Sequence, residues 1–449
     1  MSAVHLLAKF TATATPPDEA RRRAATAFLD TVGVTLAGVA EPAARAVRAL
    51  LVGAGGEQAH VFGTGLRASP PFSALANGTA AHALDYDDMC FVSLAHPSAP
   101  LVPAALAAAE SAGRSGRAAL DAYVVGFEVE CLLGRRLQPR HYQRGWHPTS
   151  TLGTIGSAAA ASRLFGLDAA TTAHALAIAA SQASGLKENF GTMIKPLHAG
   201  LAAQNGIMAA LLAQRGLTGS ELAIDGPQGF LTAMGGSHAD LGDIASDLGT
   251  RWEILETGIT VKLYPSCAGT HPALDALLRL RRRDRFTVDD VAAIDIAVDS
   301  ITPTILIHDR PSTGLEGKFS MPFCAAAAIV HGRVGLDTFE PAALHDPAVR
   351  ALMPRVTMRV DSAFDGDGPP LAHSRVAIRL RDGRVLALAA NGARGYPAQP
   401  ASDEELTGKF LSCAGRSLGR DGAARALTAM RSIDAIGDVR NLTSQLAAS

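Results

Sequence analysis

The chain has 449 residues, 48% hydrophobic and 18% charged, with 41 Lys plus Arg against 42 Asp plus Glu and a net charge of -1. That length exceeds one domain of about 100–200 residues, so two domains or one large one are expected, and the apolar share excludes disorder. Balanced charge and 5% aromatics leave neither the basic surplus nor the stacking platforms of a nucleic-acid binder.

The N-terminus lacks a basic start followed by a sustained apolar run, so no signal peptide is expected. No stretch reaches about 18 uninterrupted apolar residues, which argues against a membrane span. Residues 17–38 read as the first helix, with Pro17 at its start and Asp18 and Glu19 at its positive end. Ala- and Leu-rich runs near 42–53, 70–84, 98–112, 116–135, 148–165, 168–184 and 199–215 predict a large helical bundle. The pattern changes after about residue 265. Residues 291–299 and 355–361 alternate apolar and polar side chains, as half-buried strands do. Residues 373–380 and 385–390 flank Asp382-Gly383, a hairpin signal. Helices are expected between them near 271–283, 319–331 and 346–353. Helical spacing returns at Ser402, with Asp403, Glu404 and Glu405 in the first turn. The predicted fold is therefore mainly α: residues 1–265 with 399–449 form an all-α domain, and 266–398 a smaller α+β insertion.

Cys90, Cys131, Cys267, Cys324 and Cys413 are odd in number, far apart and without a C-x-x-C pair. That pattern argues against a disulfide framework, a zinc knuckle or an iron–sulfur cluster, and favours a reducing, cytoplasmic setting. No phosphate loop, dinucleotide fingerprint or G-x-S-x-G elbow is present, and nothing suits a nicotinamide or flavin.

A titratable residue directly precedes proline at His96-Pro97, His147-Pro148, Lys195-Pro196 and His271-Pro272, each leading into an apparent helix. Proline favours the first helical turn, so these side chains belong at helix mouths, where free N–H groups attract anions. Asp85-Tyr86-Asp87-Asp88 follows a helical run, where acids oppose the dipole. These acids read either as a solvated loop or as partners for a base or lysine; no metal is expected there. The stretch with His147, Thr149 and Ser150 suits a carboxylate. Lys187, Lys195 and His198 add further polar groups, as do Lys262, Tyr264, Cys267 and His271 at the domain boundary, and Lys318 beyond it. Together they point to a polyanionic carboxylate substrate and proton transfer at carbon.

Six stretches, at 76–88, 96–98, 145–153, 189–198, 262–267 and 318–323, resemble the MmgE/PrpD family of 2-methylcitrate dehydratase-like enzymes. The resemblance implies an all-α domain with a smaller α+β lid, an active site between them, a homodimer and no cofactor. It carries Asp85, His96, His147, Lys195 and Lys262 into the catalytic set; Thr149, Ser150, Lys187, His198, Tyr264, Cys267, His271 and Lys318, read from the residues themselves, are the substrate-binding candidates. Lys195 and Lys262 then hold carboxylates and stabilise an enolate-like intermediate, His147 or His96 removes the proton, and Asp85 orients a partner. The main expectation is a 2-methylcitrate dehydratase-like lyase. Alternatives are an iminodisuccinate epimerase-like enzyme, a cis-aconitate decarboxylase-like enzyme, and a non-catalytic binding protein on the same fold. Met89, Cys267 and Phe323 stand where decarboxylase-type members usually carry threonine, histidine and tyrosine.

Overall fold

The computed structural model describes residues 2–51, 53, 55–235, 248–365 and 373–448. Residue 52 of the helix expected at 42–53 lies outside them. The chain divides into two compact units, Met1–Val261 with Ser402–Ser449, and Lys262–Ala401. The protein is mainly α-helical.

The first unit is a helical bundle. Its long helices are α1 (Ala3–Thr13), α2 (Asp18–Gly38), α3 (Pro42–Leu51), α4 (Pro70–His82), α5 (Ser98–Ser111), α6 (Gly116–Leu137), α7 (Pro148–Phe165), α8 (Ala169–Gln182) and α9 (Ile194–Gln214). Two-residue strands β1 (Ala59–His60) and β2 (Arg67–Ala68) pair between α3 and α4. Helix α1 is absent from the expected elements. It has no side-chain cap, and packing of Val4, Leu7 and Phe10 into the core compensates. A main core joins Phe28, Val32, Leu101, Leu106, Tyr123, Phe127, Ile207 and Phe410 through many alanines.

Those small residues allow close helix packing. A Cβ at Gly200 of α9 would fall 2.2 Å from the Thr79 hydroxyl oxygen and 2.4 Å from the Leu75 carbonyl oxygen of α4. One at Gly206 would fall 2.4 Å from the Ser157 Cβ of α7. Helix α9 is thus wedged between α4 and α7, which brings the end of α4 beside the starts of α7 and α9. Gly200→Val is expected to destabilise the unit by about 3 kcal/mol or more, the upper range for overpacking, because backbone and not a flexible chain end is in the way. Urea unfolding monitored by circular dichroism measures this.

The second unit holds a four-stranded sheet in the order β4-β3-β5-β6, formed by β3 (Val291–Val298), β4 (Val356–Val360), β5 (His373–Leu380) and β6 (Val385–Asn391). Strands β3 and β4 are parallel. Strand β5 runs antiparallel to β3 and to β6. The parallel pair requires a crossover, which contains α11 (Met321–His331). Helices α10 (His271–Asp284) and α11 pack on the sheet through Leu274, Leu277 and Phe323 against Ile294, Ile296, Val376 and Ile378.

The chain returns to the first unit in α12 (Asp403–Arg431), which is broken at Gly419. Ser402 and Glu405 open it as a reciprocal cap: the Glu405 N–H donates to the Ser402 hydroxyl at 3.1 Å, and the Ser402 N–H donates to the Glu405 carboxylate at 2.9 Å. Among the described residues, no single helix is long and apolar enough to cross a membrane.

Candidate active site

Helix ends in the first unit deliver most of the predicted side chains to one place. His82 closes α4, and Asp85 follows it with φ of 51°, a left-handed conformation uncommon for a non-glycine residue. His96 lies two residues before α5. His147 is the N-cap residue of α7, with Pro148 in its first turn. Lys195 and His198 lie in the first turns of α9, which begins five residues earlier than expected; Pro196 is tolerated there because the first turn has no i→i−4 bond to lose.

The Lys195 ammonium donates to Asp85 Oδ1 at 2.5 Å, with both side chains buried. His96 Nε2 lies 3.9 Å from that same oxygen. Asp87 Oδ2 is shared by His82 Nδ1 at 2.8 Å and His96 Nδ1 at 3.1 Å. His147 Nδ1 is 3.0 Å from His198 Nδ1, so one ring donates and the other accepts. The His147 ring stacks on His82 at 5.7 Å and meets the Phe190 edge at 4.9 Å. Thr149 Oγ1 accepts the His96 backbone N–H at 3.0 Å, and the Ser150 hydroxyl donates to the His198 carbonyl at 3.3 Å. These two hydroxyls tie the helix starts together. The His147 backbone N–H donates to the Gly185 carbonyl at 2.9 Å, which fixes the entry to α7.

Burial is the first cause of the electrostatics. It holds His82 down to about 4, against the opposing pull of Asp87, and holds His198 down to about 4 with help from His82 and Lys195. His147 is held well below the ordinary histidine value by burial and then by His82, Lys195, His198 and His96, leaving a neutral ring. Burial alone raises the Asp87 carboxyl; the His82 and His96 rings outweigh it and keep the group ionised. An ionised Asp87 accepts the His82 Nδ1–H, which selects the tautomer that leaves His82 Nε2 as acceptor, and its charge stands 3.1 Å from His96 Nδ1. Asp88, by contrast, is raised well above the carboxylate range by burial; it takes the Ser98 N–H at 3.2 Å and pairs with the Ser98 hydroxyl, anchoring α5.

The acidic loop is not solvated: Asp85, Asp87 and Asp88 are all buried. His82 and His96 stand beside the acids. His82, Asp85, Asp87 and His96 offer donor atoms within 4.8 Å of one another, a set able to hold a divalent cation. The Lys195 ammonium already supplies a positive charge at Asp85, and the contacts on Asp87 are hydrogen-bond distances, so the arrangement suits proton sharing.

Lys187, expected among the substrate-binding residues, lies beside Tyr142. Its ammonium lies 3.3 Å from the centre of the Tyr142 ring and donates to the Tyr142 carbonyl at 3.1 Å; burial lowers it to about 8. The remaining predicted residues belong to the second unit, including Lys262 and Tyr264, because the unit boundary falls at 261/262. There the Cys267 N–H donates to the Lys318 carbonyl at 3.0 Å, and the Lys318 ammonium lies 5.6 Å from the Phe339 ring centre. The Tyr264 hydroxyl donates to Asp275 at 2.5 Å, and its ring meets His271 edge-on at 5.3 Å. Lys262 is buried.

His82 and Asp87 are absent from the predicted site residues. His82 reads as one position in an apolar helical run, and Asp87 as one of three adjacent acids. The signal within reach was the five-residue spacing from His82 to Asp87, which carries a histidine past a helix end toward an acid.

The depressed histidines have a consequence for stability. Between pH 6.5 and about 4 the unfolded chain takes a proton on His198 that the folded chain refuses, so acidification through this window favours unfolding. His198→Gln is expected to narrow the wild type's loss of Tm over that window, while leaving the difference between the two proteins constant above pH 7. Scanning calorimetry from pH 4 to 8 measures it.

Residues 6–240 match the MmgE/PrpD N-terminal domain, and residues 264–435 match the MmgE/PrpD C-terminal domain. The cis-aconitate decarboxylase-like protein oryM of Aspergillus oryzae is 31% identical over 405 residues, which cover 85% of this chain and 83% of that protein. The cis-aconitate decarboxylases of Mus musculus and Homo sapiens are each 29% identical, covering 85% of this chain and 79% and 80% of their own lengths.

Proposed function

The chain belongs to the MmgE/PrpD family, and from that premise we propose that it is a cofactor-independent lyase of small polycarboxylates, with cis-aconitate decarboxylation the first reaction to test. This replaces 2-methylcitrate dehydration as the leading reading, because similar proteins across most of the chain bear the decarboxylase name. The observation that carries the proposal is the buried Asp85–Lys195 pair beside His96, whose other ring nitrogen is held by Asp87.

In the proposed reaction a carboxylate of the substrate competes with Asp85 for the Lys195 ammonium and uses helix N–H groups as further donors. Loss of CO2 breaks a C–C bond and leaves its electron pair on the substrate carbon, delocalised toward a neighbouring carboxylate. The ammonium stabilises that charge, and an imidazolium at His96 gives its proton to carbon. The products are CO2 and an unsaturated dicarboxylate. Asp87 supplies the negative charge that makes protonated His96 accessible in a buried site.

One observation favours the other branch. Met89, Cys267 and Phe323 bring no hydroxyl or imidazole to positions where decarboxylase-type members usually have them. Proton abstraction next to a carboxylate, leading to dehydration of 2-methylcitrate or epimerisation of iminodisuccinate, uses the same histidines. Incubation with cis-aconitate, 2-methylcitrate, citrate and iminodisuccinate in deuterium oxide, followed by NMR and CO2 release, tests these readings. CO2 with a new alkene supports decarboxylation. An alkene without CO2 supports dehydration, and exchange of the α-proton without an alkene supports epimerisation. Silence on all four favours the non-catalytic binding reading. The same proposal expects a homodimer, and a monomer by light scattering at micromolar concentration counts against it.

A further inference from the structure

We propose that Lys409, on the helix that returns from the far end of the chain, is a positioning residue that clamps the Tyr86 carbonyl and thereby holds Asp85 and Asp87 in the cluster. The Lys409 ammonium lies 2.6 Å from Asp30 Oδ1 of α2, donates to the Tyr86 carbonyl at 2.7 Å, and sits 4.0 Å from the centre of the Tyr86 ring. The Lys409 and Asp30 side chains are only 3% and 1% exposed.

A buried ion pair is a costly way to join two helices, and well-packed apolar residues of similar volume often serve as well or better. Helices α2 and α12 already have such packing: Phe410, next to Lys409, lies directly against Gly33 of α2. What the ammonium adds, and a leucine or methionine lacks, is a donor for one carbonyl. That carbonyl belongs to Tyr86, between Asp85, which holds Lys195, and Asp87, which holds His82 and His96.

The backbone here needs restraint. Asp85 has φ of 51°, a conformation that persists in a non-glycine residue only when its surroundings over-determine it. On the Asp85 side the tie is a 3.3 Å hydrogen bond from its N–H to the His82 carbonyl. Beyond Asp88, Met89 exchanges two hydrogen bonds with Thr260 at 2.9 and 2.8 Å. The Lys409 clamp stands between these ties and fixes the orientation of the peptide joining Tyr86 to Asp87.

The role as a positioning residue rests on the proposed lyase reading; the geometric claim does not, and the test separates them. Lys409→Met alone leaves Asp30 charged and buried, so the informative variant is Asp30→Leu/Lys409→Met, which removes both charges. It is expected to fold with a Tm near that of the wild type, while its crystal structure shows Asp85 out of the left-handed region and the Asp85–Lys195 ion pair broken. Turnover of the substrate identified for the wild type should fall about 10- to 100-fold, the scale of a misplacement of roughly 1 Å, with a much smaller change in KM. Lys409→Arg, which keeps a cationic donor, should recover part of that loss. A folded double variant in which Asp85 keeps its positive φ and its bond to Lys195 overturns the proposal. If that variant does not fold, Asp30→Asn/Lys409→Met is read by the same two structural criteria. If the wild type turns over no polycarboxylate, the lyase reading fails, and the φ angle and the bond to Lys195 still decide the clamp.

Discussion

Asp87→Asn is expected to lower turnover about 100-fold or more while leaving the fold intact, the usual worth of a positioned acid–base group or of the acceptor that orients one. The reason lies in what an amide does at this position. Asp87 Oδ2 takes the ring N–H of His82 and stands 3.1 Å from His96 Nδ1, and Asp87 Oδ1 is buried without a hydrogen-bond partner among the described residues. If the asparagine oxygen replaces Oδ2, it still accepts the His82 ring, but its NH2 is left buried and unsatisfied, at a cost of about 1–3 kcal/mol. If the amide turns over, its N–H groups face the His82 ring nitrogen, which must give up its proton, and that ring's tautomer inverts. Both orientations remove the negative charge that favours protonated His96. The alkaline limb of the kcat–pH profile, where the proton-donating imidazolium is lost, should therefore move to lower pH, the direction expected when an imidazolium loses its carboxylate. Wild-type turnover with an unshifted profile would falsify the shared role of Asp87.

His147→Gln carries the second large effect. The ring is buried, held neutral, stacked on His82 and linked to His198 at 3.0 Å. Glutamine keeps a similar size and hydrogen-bonding capacity but cannot titrate. If neutral His147 takes a proton during turnover, the rate should fall about 100-fold or more, the usual contribution of one acid–base group. KM should change far less, since Lys195 and the helix N–H groups still hold carboxylate. The opposite pattern, normal kcat with weak binding, would assign His147 to substrate recognition and leave His96 as the proton carrier. Steady-state kinetics with the substrate found by NMR distinguishes the two.

Local pattern in the sequence was enough to place most helices and all four strands of the larger sheet. Helical periodicity and proline at the first turn act over a few residues, and they located α7 at Pro148–Phe165. Alternation located β5 at His373–Leu380, and Asp382-Gly383 marked its turn into β6. The reciprocal cap at Ser402 and Glu405 likewise lies within four residues. The same local logic put His96, His147 and Lys195 at or near helix starts, because proline punctuation is a property of the chain beside them.

Which of these helix ends meet was decided only in three dimensions. Gly200 lets α9 approach α4, and Gly206 lets it approach α7, and those approaches put Lys195 against Asp85 and His198 against His147. Spacing along the chain carries no information about such pairings, since each depends on surfaces that touch after folding. His82 therefore read as one more position of an apolar helix, and Asp87 as part of a loop with two alternatives open. Asp30 and Lys409 carried no local mark at all: a buried charge pair is recognisable only when the two helices that bury it are side by side.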